Sequence, residues 1–361
     1  MDIFLITAPG QQDFLAAEAR EKGFKVTEII PGGVTIRGGW PDVWRANLQL
    51  RGASRILARL GQFRATNLSQ LEKLAREFPW SDTLRPGETA SVTTTSRKSK
   101  IYHAGAATER FENALTAQGF VISDTPDHDI RIRIEKNIVT ISLDTSDDSL
   151  HKRGHKEAVN AAPMRETMAA MFLREARYNG KEPLYDPMCG SGTFVLEAAE
   201  IALRLDPGRA RTFAFQSLPN FDAAVFRSMI SPSRDAAYPV FGSDRDEGAI
   251  RMATANAERA KVDNIAAFRH LAISDATPPI DAPGLVICNP PYGTRIGNKK
   301  PLFALYGSFG ARMKSHFKGW RVAFVTSDAA LAKATGLPVT PGPVVAHGGL
   351  RVRLWQTGPL D

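Results

Sequence analysis

The stretch that most limits the fold lies at residues 284–292. An apolar run, GLVIC at 284–288, is bounded by Pro283 and Pro290, and its length and flanks predict a buried strand. It stops at Asn289-Pro290-Pro291-Tyr292, with Gly293 beyond. Each proline fixes φ and lacks an N–H, so neither continues a sheet ladder. Each also pushes the residue before it out of the helical region. The outcome is a stiff turn at a strand's carboxyl end, carrying an amide, free carbonyls and an aromatic ring. An exocyclic amino group on a base has two donors, which the Asn289 side-chain oxygen and a carbonyl such as that of Pro290 can accept. Accepting both holds the nitrogen lone pair towards an electrophile, while Tyr292 stacks on the base. A proline-rich turn with an aromatic plug is the plainer reading of the same residues.

Placed directly after an apolar strand, this tetrapeptide resembles motif IV of the class I S-adenosylmethionine-dependent methyltransferases that modify planar amino nitrogens. The resemblance implies that Asn289, Pro290 and Tyr292 hold the target group. Enzymes of DNA adenine, RNA guanine and protein glutamine share the motif, so it names the kind of nitrogen and not the polymer.

A chain of 361 residues predicts two or three folded units. No apolar run approaches the roughly 18 residues that suggest a membrane span. The opening MDIFLITAPGQQ has too short an apolar run for a signal peptide. Two cysteines, Cys189 and Cys288, give neither a disulfide framework nor zinc spacing. A cytoplasmic protein without metal is expected. The formal charge is +8, and because residues 1–150 are balanced, the excess falls wholly in residues 151–361. A basic excess points to a polyanionic partner.

Residues 1–64 predict strands at 3–7, 25–30, 34–37 and 56–63 with helices at 11–22 and 40–50. That order, βαββαβ, is a ferredoxin-like pattern without a catalytic constellation. Residues 65–150 predict a helix at 68–78, a strand at 90–95, a basic turn, a helix at 104–118, and a hairpin of 130–134 with 138–143. This α+β succession resembles a THUMP domain, an RNA-binding module. The resemblance puts Arg97, Lys98 and Lys100 where RNA phosphates approach; a solvated charged loop is the alternative. Residues 144–155 (DTSDDSLHKRGH) are polar and aperiodic, and read as a joint to the catalytic unit at 151–361. Freed of residues 1–150, that unit is expected to fold and bind its donor. SLHKRG resembles the linker of the bacterial rRNA guanine-N2 methyltransferases, although His155 stands where that family has an aromatic residue. A helix over the donor site is expected at 164–178.

From Pro183 strands and helices alternate, which predicts an α/β, doubly wound parallel sheet of Rossmann-like form. The turn DPMCGSGT at 186–193 lies between a strand at 184–186 and a helix at 194–204. Glycines there let backbone approach a ligand at the strands' carboxyl ends. Gly192 is followed by Thr193-Phe194-Val195, which breaks the dinucleotide fingerprint and speaks against a dehydrogenase. DPMCGSGT resembles motif I of the methyltransferase family. The resemblance implies that Asp186, Gly190 and Gly192 surround the methionine part of S-adenosylmethionine, with Cys189 and Thr193 nearby and Asn289 bordering it. Residues 206–238 are an insertion that either contacts substrate or packs through Phe213, Phe215 and Phe221.

A strand at 239–242 precedes Asp244, an acid placed to take ribose hydroxyls. Asp246 opens the next helix, 247–260, where an acid suits the positive end. After a strand region at 265–273, Asp275 resembles the family acid that meets the adenine amino group; a turn-forming aspartate is the alternative. A helix at 302–317, a strand at 321–326, a short helix at 329–334 and an antiparallel pair, 344–347 with 350–356 about Gly348-Gly349, complete the unit. A terminal antiparallel pair on a parallel sheet marks the class I methyltransferase fold.

The expected function is methylation of guanine N2 in RNA, large-subunit rRNA foremost, after the base is flipped or locally opened. The alternatives are a tRNA guanine-N2 enzyme, a DNA adenine-N6 enzyme and a non-catalytic RNA-binding protein. The amino-terminal RNA module speaks against the DNA reading, and intact DPMCGSGT and NPPY speak against the non-catalytic one.

Overall fold

Two eight-stranded sheets organise the computed structural model, which describes residues 1–157, 164–292 and 300–361. Gly293, the close of the motif stretch, lies outside the described residues. The first sheet takes β1 (Asp2–Ile6), β2 (Lys25–Ile30), β3 (Gly33–Arg37) and β4 (Arg55–Arg64), with α1 (Gln12–Glu21) and α2 (Trp40–Gln49) between them. It continues through α3 (Leu68–Glu77), β5 (Thr89–Arg97), α4 (Ala104–Ala117), β6 (Val121–Ile122), β7 (His128–Glu135) and β8 (Ile138–Asp144). The βαββαβ order and the hairpin stand as the sequence predicts; β6, two residues long, carries too short a pattern to be read.

The strand order is β2-β3-β1-β4-β8-β7-β5-β6. Strand β4 pairs antiparallel with β8 from Leu57↔Asp144 to Arg64↔Ile138, so the ferredoxin-like and THUMP-like halves share one sheet. Along β7, Ile130, Ile132 and Ile134 are buried while Arg131 and Arg133 reach towards solvent, the alternation of a half-buried strand. Lys136 and Asn137 take φ of 52° and 65°, as a two-residue hairpin turn matched to the sheet twist requires.

The joint is more buried than its polar sequence alone indicates. Thr145 and Ser146 are fully buried. Asn47 on α2 donates to Thr145 Oγ1 at 2.9 Å and accepts from Ser146 Oγ at 2.8 Å. Arg211, from the insertion, donates to the carbonyls of Ser146, Asp148, Ser149 and Lys152 at 2.7–3.0 Å. Polar linkers read as solvated because their partners lie far away in sequence. Here those partners exist, and the Thr145 and Ser146 hydroxyls are buried with their hydrogen bonds made.

The insertion contains α7 (Ala223–Ser228) and settles on the amino-terminal core. Phe215 stacks on Trp44 with ring centroids 6.2 Å apart, and Phe221 meets the same indole edge-on at 5.4 Å. Of its two readings, packing is therefore the one observed. A catalytic unit cut free of residues 1–150 would leave Phe213 and Phe215 without their cover, which argues against its folding alone.

The second sheet takes β9 (Leu184–Asp186), β10 (Val240–Asp244), β11 (Ala266–His270), β12 (Leu285–Cys288), β13 (Arg321–Thr326), β14 (Thr340–Pro341), β15 (Val345–His347) and β16 (Leu350–Pro359). Its helices are α5 (Glu166–Glu175), α6 (Thr193–Ala202), α8 (Glu247–Ala260), α9 (Lys300–His316) and α10 (Ala329–Ala334). The order is β11-β10-β9-β12-β13-β16-β14, parallel from β11 to β13 and with β16 reversed. Strand β9 sits between β10 and β12, so the order switches there and opens a crevice at the carboxyl ends.

Two expectations are corrected. Strand β10 runs to Asp244 rather than ending at residue 242, because the Asp244 carbonyl still accepts from Leu271 N at 3.0 Å. The terminal hairpin exists about Gly348 and Gly349, at φ 54° and 82°, but β15 lies off the main sheet. The outer partner of β16 is β14, whose Thr340 and Pro341 face Gln356 and Trp355.

Candidate active site

Strands β9, β10 and β12 deliver their last residues to one crevice. Beyond β9 the chain turns through Gly190 and Gly192, at φ 52° and 89°, a region that side chains other than glycine rarely enter. A Cβ on Gly192 would also meet the Phe268 ring and Ala253 at 3.2–3.3 Å. Gly192 caps α6, so the helix's first N–H groups face the crevice.

Gly190 N donates to Asp244 Oδ2 at 2.9 Å, and Asp246 N donates to Asp244 Oδ1 at 3.0 Å. Each oxygen keeps a lone pair, enough to accept two vicinal hydroxyls. Asp246 instead caps α8 through Gly248 N at 2.8 Å. Asp186 is buried, and its carboxyl is held well above the usual range by burial, opposed by the Met188 N–H and assisted by the nearby Asp244. None of these influences is a cation. A buried acid so placed fits a cationic ligand, and the donor's ammonium and sulfonium are both cations.

Cys189 and Cys288 are buried, and burial pushes both thiols up, so neither supplies a thiolate. Thr193 opens α6 and its Oγ1 accepts from Lys156 Nζ at 2.6 Å. No motif points to Lys156, and a lone lysine after a linker gives no signal by itself. Asp275 ends a single 3₁₀ turn, Ile273–Asp275, and is exposed.

At the end of β12, Asn289 Oδ1 is buried without a hydrogen-bond partner among the described residues. An orphaned acceptor is costly, roughly 1–3 kcal/mol, and calls for an explanation. Pro290 is buried beside it. Tyr292 is half-buried, packs against the cores on both faces of the sheet, and has its phenol pushed up to about 12 by burial, so it stays neutral. Arg97, Lys98 and Lys100 are not brought to this crevice. They stand exposed at the end of β5 in the other sheet, where Lys100 N donates to Asn137 Oδ1 at 2.8 Å.

A buried ion network links the crevice to the amino-terminal sheet. On α6, Glu197 meets Arg51 at 3.1 Å and Arg153 at 2.9 Å, while Glu200 meets Arg51 at 2.9 Å and Arg209 at 2.7 Å. His155 joins through Nε2 at 3.4 Å from Glu200, and burial lowers its pKa. His155 thus sits among both the carboxylates and the guanidiniums of this network.

The strand order with one reversed strand, the glycine turn and the Asn-Pro-Pro-Tyr turn define a class I S-adenosylmethionine-dependent methyltransferase. The chain belongs to the RMKL-like methyltransferase family, whose model matches residues 153–340. An RlmL-type ferredoxin-like domain matches 2–57 and a THUMP domain matches 65–144. Among relatives, a protein of Synechocystis sp. named as a candidate RNA methyltransferase, slr0064, is 32% identical over 96% of this chain and 94% of its own. The ribosomal RNA large subunit methyltransferase K/L of Syntrophotalea carbinolica is 32% identical over 97% of this chain, which spans 53% of that relative's length. A solved structure of a candidate methyltransferase, SMU.472, complexed with SAH superposes with a TM-score of 0.90 at 26% identity, covering 100% and 98% of the two chains.

Asp244→Ala is expected to weaken S-adenosylmethionine binding by about 1–3 kcal/mol, the scale of hydrogen bonds to a charged group. Calorimetry would measure this, and an unchanged affinity would remove Asp244 from the donor site.

Proposed function

We propose that this protein methylates the exocyclic N2 of a guanine in large-subunit ribosomal RNA, working in the cytoplasm. The observation that carries the reading is the buried Asn289 Oδ1 at the end of β12, beside the glycine turn, which has no hydrogen-bond partner among the described residues. The names of the K/L relatives support the ribosomal substrate, and the THUMP domain supports an RNA.

The donor supplies an electrophilic methyl group that needs no further activation. The chain's residues position the acceptor. Asn289 Oδ1 and the Pro290 carbonyl accept the two N–H groups of the target amine and aim its lone pair. Tyr292 stacks on the flipped base. Asp244 holds the ribose hydroxyls, Asp275 meets the adenine, and Gly190 and Gly192 admit the methionine part beside Asp186. A general base is not required before transfer, because the proton can leave the alkylated nitrogen for water.

RNA binding is expected to use the exposed turn at Arg97, Lys98 and Lys100. Replacing all three with glutamine should flatten the dependence of log affinity on log salt by about 0.7–0.9 for each phosphate that the turn no longer neutralises. An unchanged slope in filter-binding titrations would leave this turn a solvated loop. The function itself is tested by nucleoside mass spectrometry of rRNA and tRNA from cells with and without the protein. Loss of N2-methylguanosine from large-subunit rRNA is expected. Loss from tRNA alone would move the substrate, and loss of N6-methyladenine from DNA would overturn the reading.

A further inference from the structure

We propose that the open face of the first sheet, over β4, β8, β7 and β5, docks double-stranded RNA by its phosphates, a proposal that rests on the chain acting on RNA. The other face is covered by α3 and α4, where Ile130, Ile132 and Ile134 share one core with Leu71 and Phe111. Side chains alternate along a strand, so Arg133 of β7 points away from that core, and it stands 47% exposed. Strand register carries the alternation across the sheet. Gln62, Arg133 and Thr95 share one row, and Arg64 and Arg97 share the next, which ends at the basic turn. All five are exposed, so no described element covers these rows.

The charges on this face are incompletely paired. Arg133 meets Glu135 at 2.5 Å. Arg59, Arg64 and Arg97 have no ion pair and no side-chain hydrogen bond among the described residues. Arg59 lies over the Phe4 ring, 4.9 Å from its centroid. Burial lowers its guanidinium from the usual value; Asp2 and Glu28 oppose this, and Arg133 adds to it. Like charges set close together on a sheet are destabilising, and a polyanion laid over them offsets that repulsion.

The form of the RNA follows from the side chains that the face presents. Single strands are held in grooves whose aromatic rings stack on the bases. Phe63 of β4 is turned to the core and stacks on Phe111 at 6.4 Å, while Phe4 lies beneath Arg59. The open rows of β4, β5, β7 and β8 therefore offer no free ring among the described residues. They offer guanidiniums, which suit phosphates, and the Gln62 amide and Thr95 hydroxyl, which suit 2′-hydroxyls. Phosphates and 2′-hydroxyls are what an RNA duplex displays across its minor groove. Four strands at the usual spacing make the face about 14 Å across, broader than a track for one strand. Arg97 belongs to both this face and the basic turn, so the two form one continuous surface.

The experiment is a fluorescence-anisotropy titration of the full chain with two labelled probes, an RNA duplex of about 16 base pairs and one of its strands alone. Replacing both Arg59 and Arg64 with glutamine should weaken the duplex by about 10-fold or more, as the loss of two phosphate contacts implies. The single strand should bind wild type and variant within about twofold. Calorimetry with S-adenosylmethionine should give the wild-type affinity, which reports an intact fold. If the double variant fails to fold, Thr95→Glu adds a negative charge at an exposed position and should discriminate between the probes in the same way. Equal weakening of both probes would make the face a general polyanion surface and overturn the duplex assignment. No weakening of either in a folded variant would overturn the proposal while leaving the RNA reading in place. A wild-type chain that binds neither probe would instead overturn the RNA reading itself.

Discussion

Asn289→Ala should lower the single-turnover methylation rate by about 10²-fold or more at saturating donor, the scale on which misplacing a reacting group costs rate. Donor affinity should stay nearly intact, since the amide is assigned to the base and not to the sulfonium. Asn289 Oδ1 has no hydrogen-bond partner among the described residues, which adds a second expectation, because removing it takes away a buried acceptor that lacks one. The variant should therefore be no less stable than wild type, and a slower reaction cannot then be put down to unfolding. Tyr292 should behave differently. Tyr292→Ala should weaken base capture by about 1–3 kcal/mol, the worth of a stacked base, whereas Tyr292→Phe should be mild. A fully active Asn289→Ala enzyme would sink the role of that amide, and with it the claim that an exocyclic amino nitrogen is held here.

Glu197→Ala should destabilise the chain by about 3–5 kcal/mol, the usual result of removing one partner from a buried ion pair. Glu197 is 2% exposed and lies between Arg51 of the amino-terminal unit and Arg153 of the joint. Its removal leaves two buried guanidiniums with fewer acceptors. Arg153 keeps the carbonyls of Leu150 and Arg51, both at 2.9 Å, so the damage should concentrate on the charge rather than on geometry. Urea denaturation followed by tryptophan fluorescence would measure the shift, with Trp44 and Trp80 reporting from the amino-terminal core. A change below about 1 kcal/mol would mean that water reaches the network and that the pairs behave as surface bridges. The network also ties α6, which begins at the donor turn, to the sheet that carries the THUMP domain. The glycine turn and the THUMP domain are in this way mounted on one frame.

Local pattern is enough to read most elements. The alternation of β7, the helical period of α8 and the apolar run of β12 each express burial that neighbours in sequence already imply. The turns at 186–193 and 289–292 are equally legible as turns, because glycine at Gly190 and Gly192 and proline at Pro290 and Pro291 restrict the backbone whatever surrounds them. Long-range pairing is not legible. The sharing of one sheet through β4 and β8, the seat of Phe215 on Trp44, and the burial of the joint all depend on partners tens of residues away. The ion network is the strongest case. Arg51, Arg153, Glu197 and Glu200 are ordinary surface residues by composition, and only the packed structure removes them from water. Lys156 belongs to the same class, since nothing before or after it in the chain announces Thr193. Fold class and the kind of chemistry are thus written into residues that constrain their own backbone. Which charges are buried and which units are joined emerges only on folding, because burial and pairing are properties of contacts between distant segments.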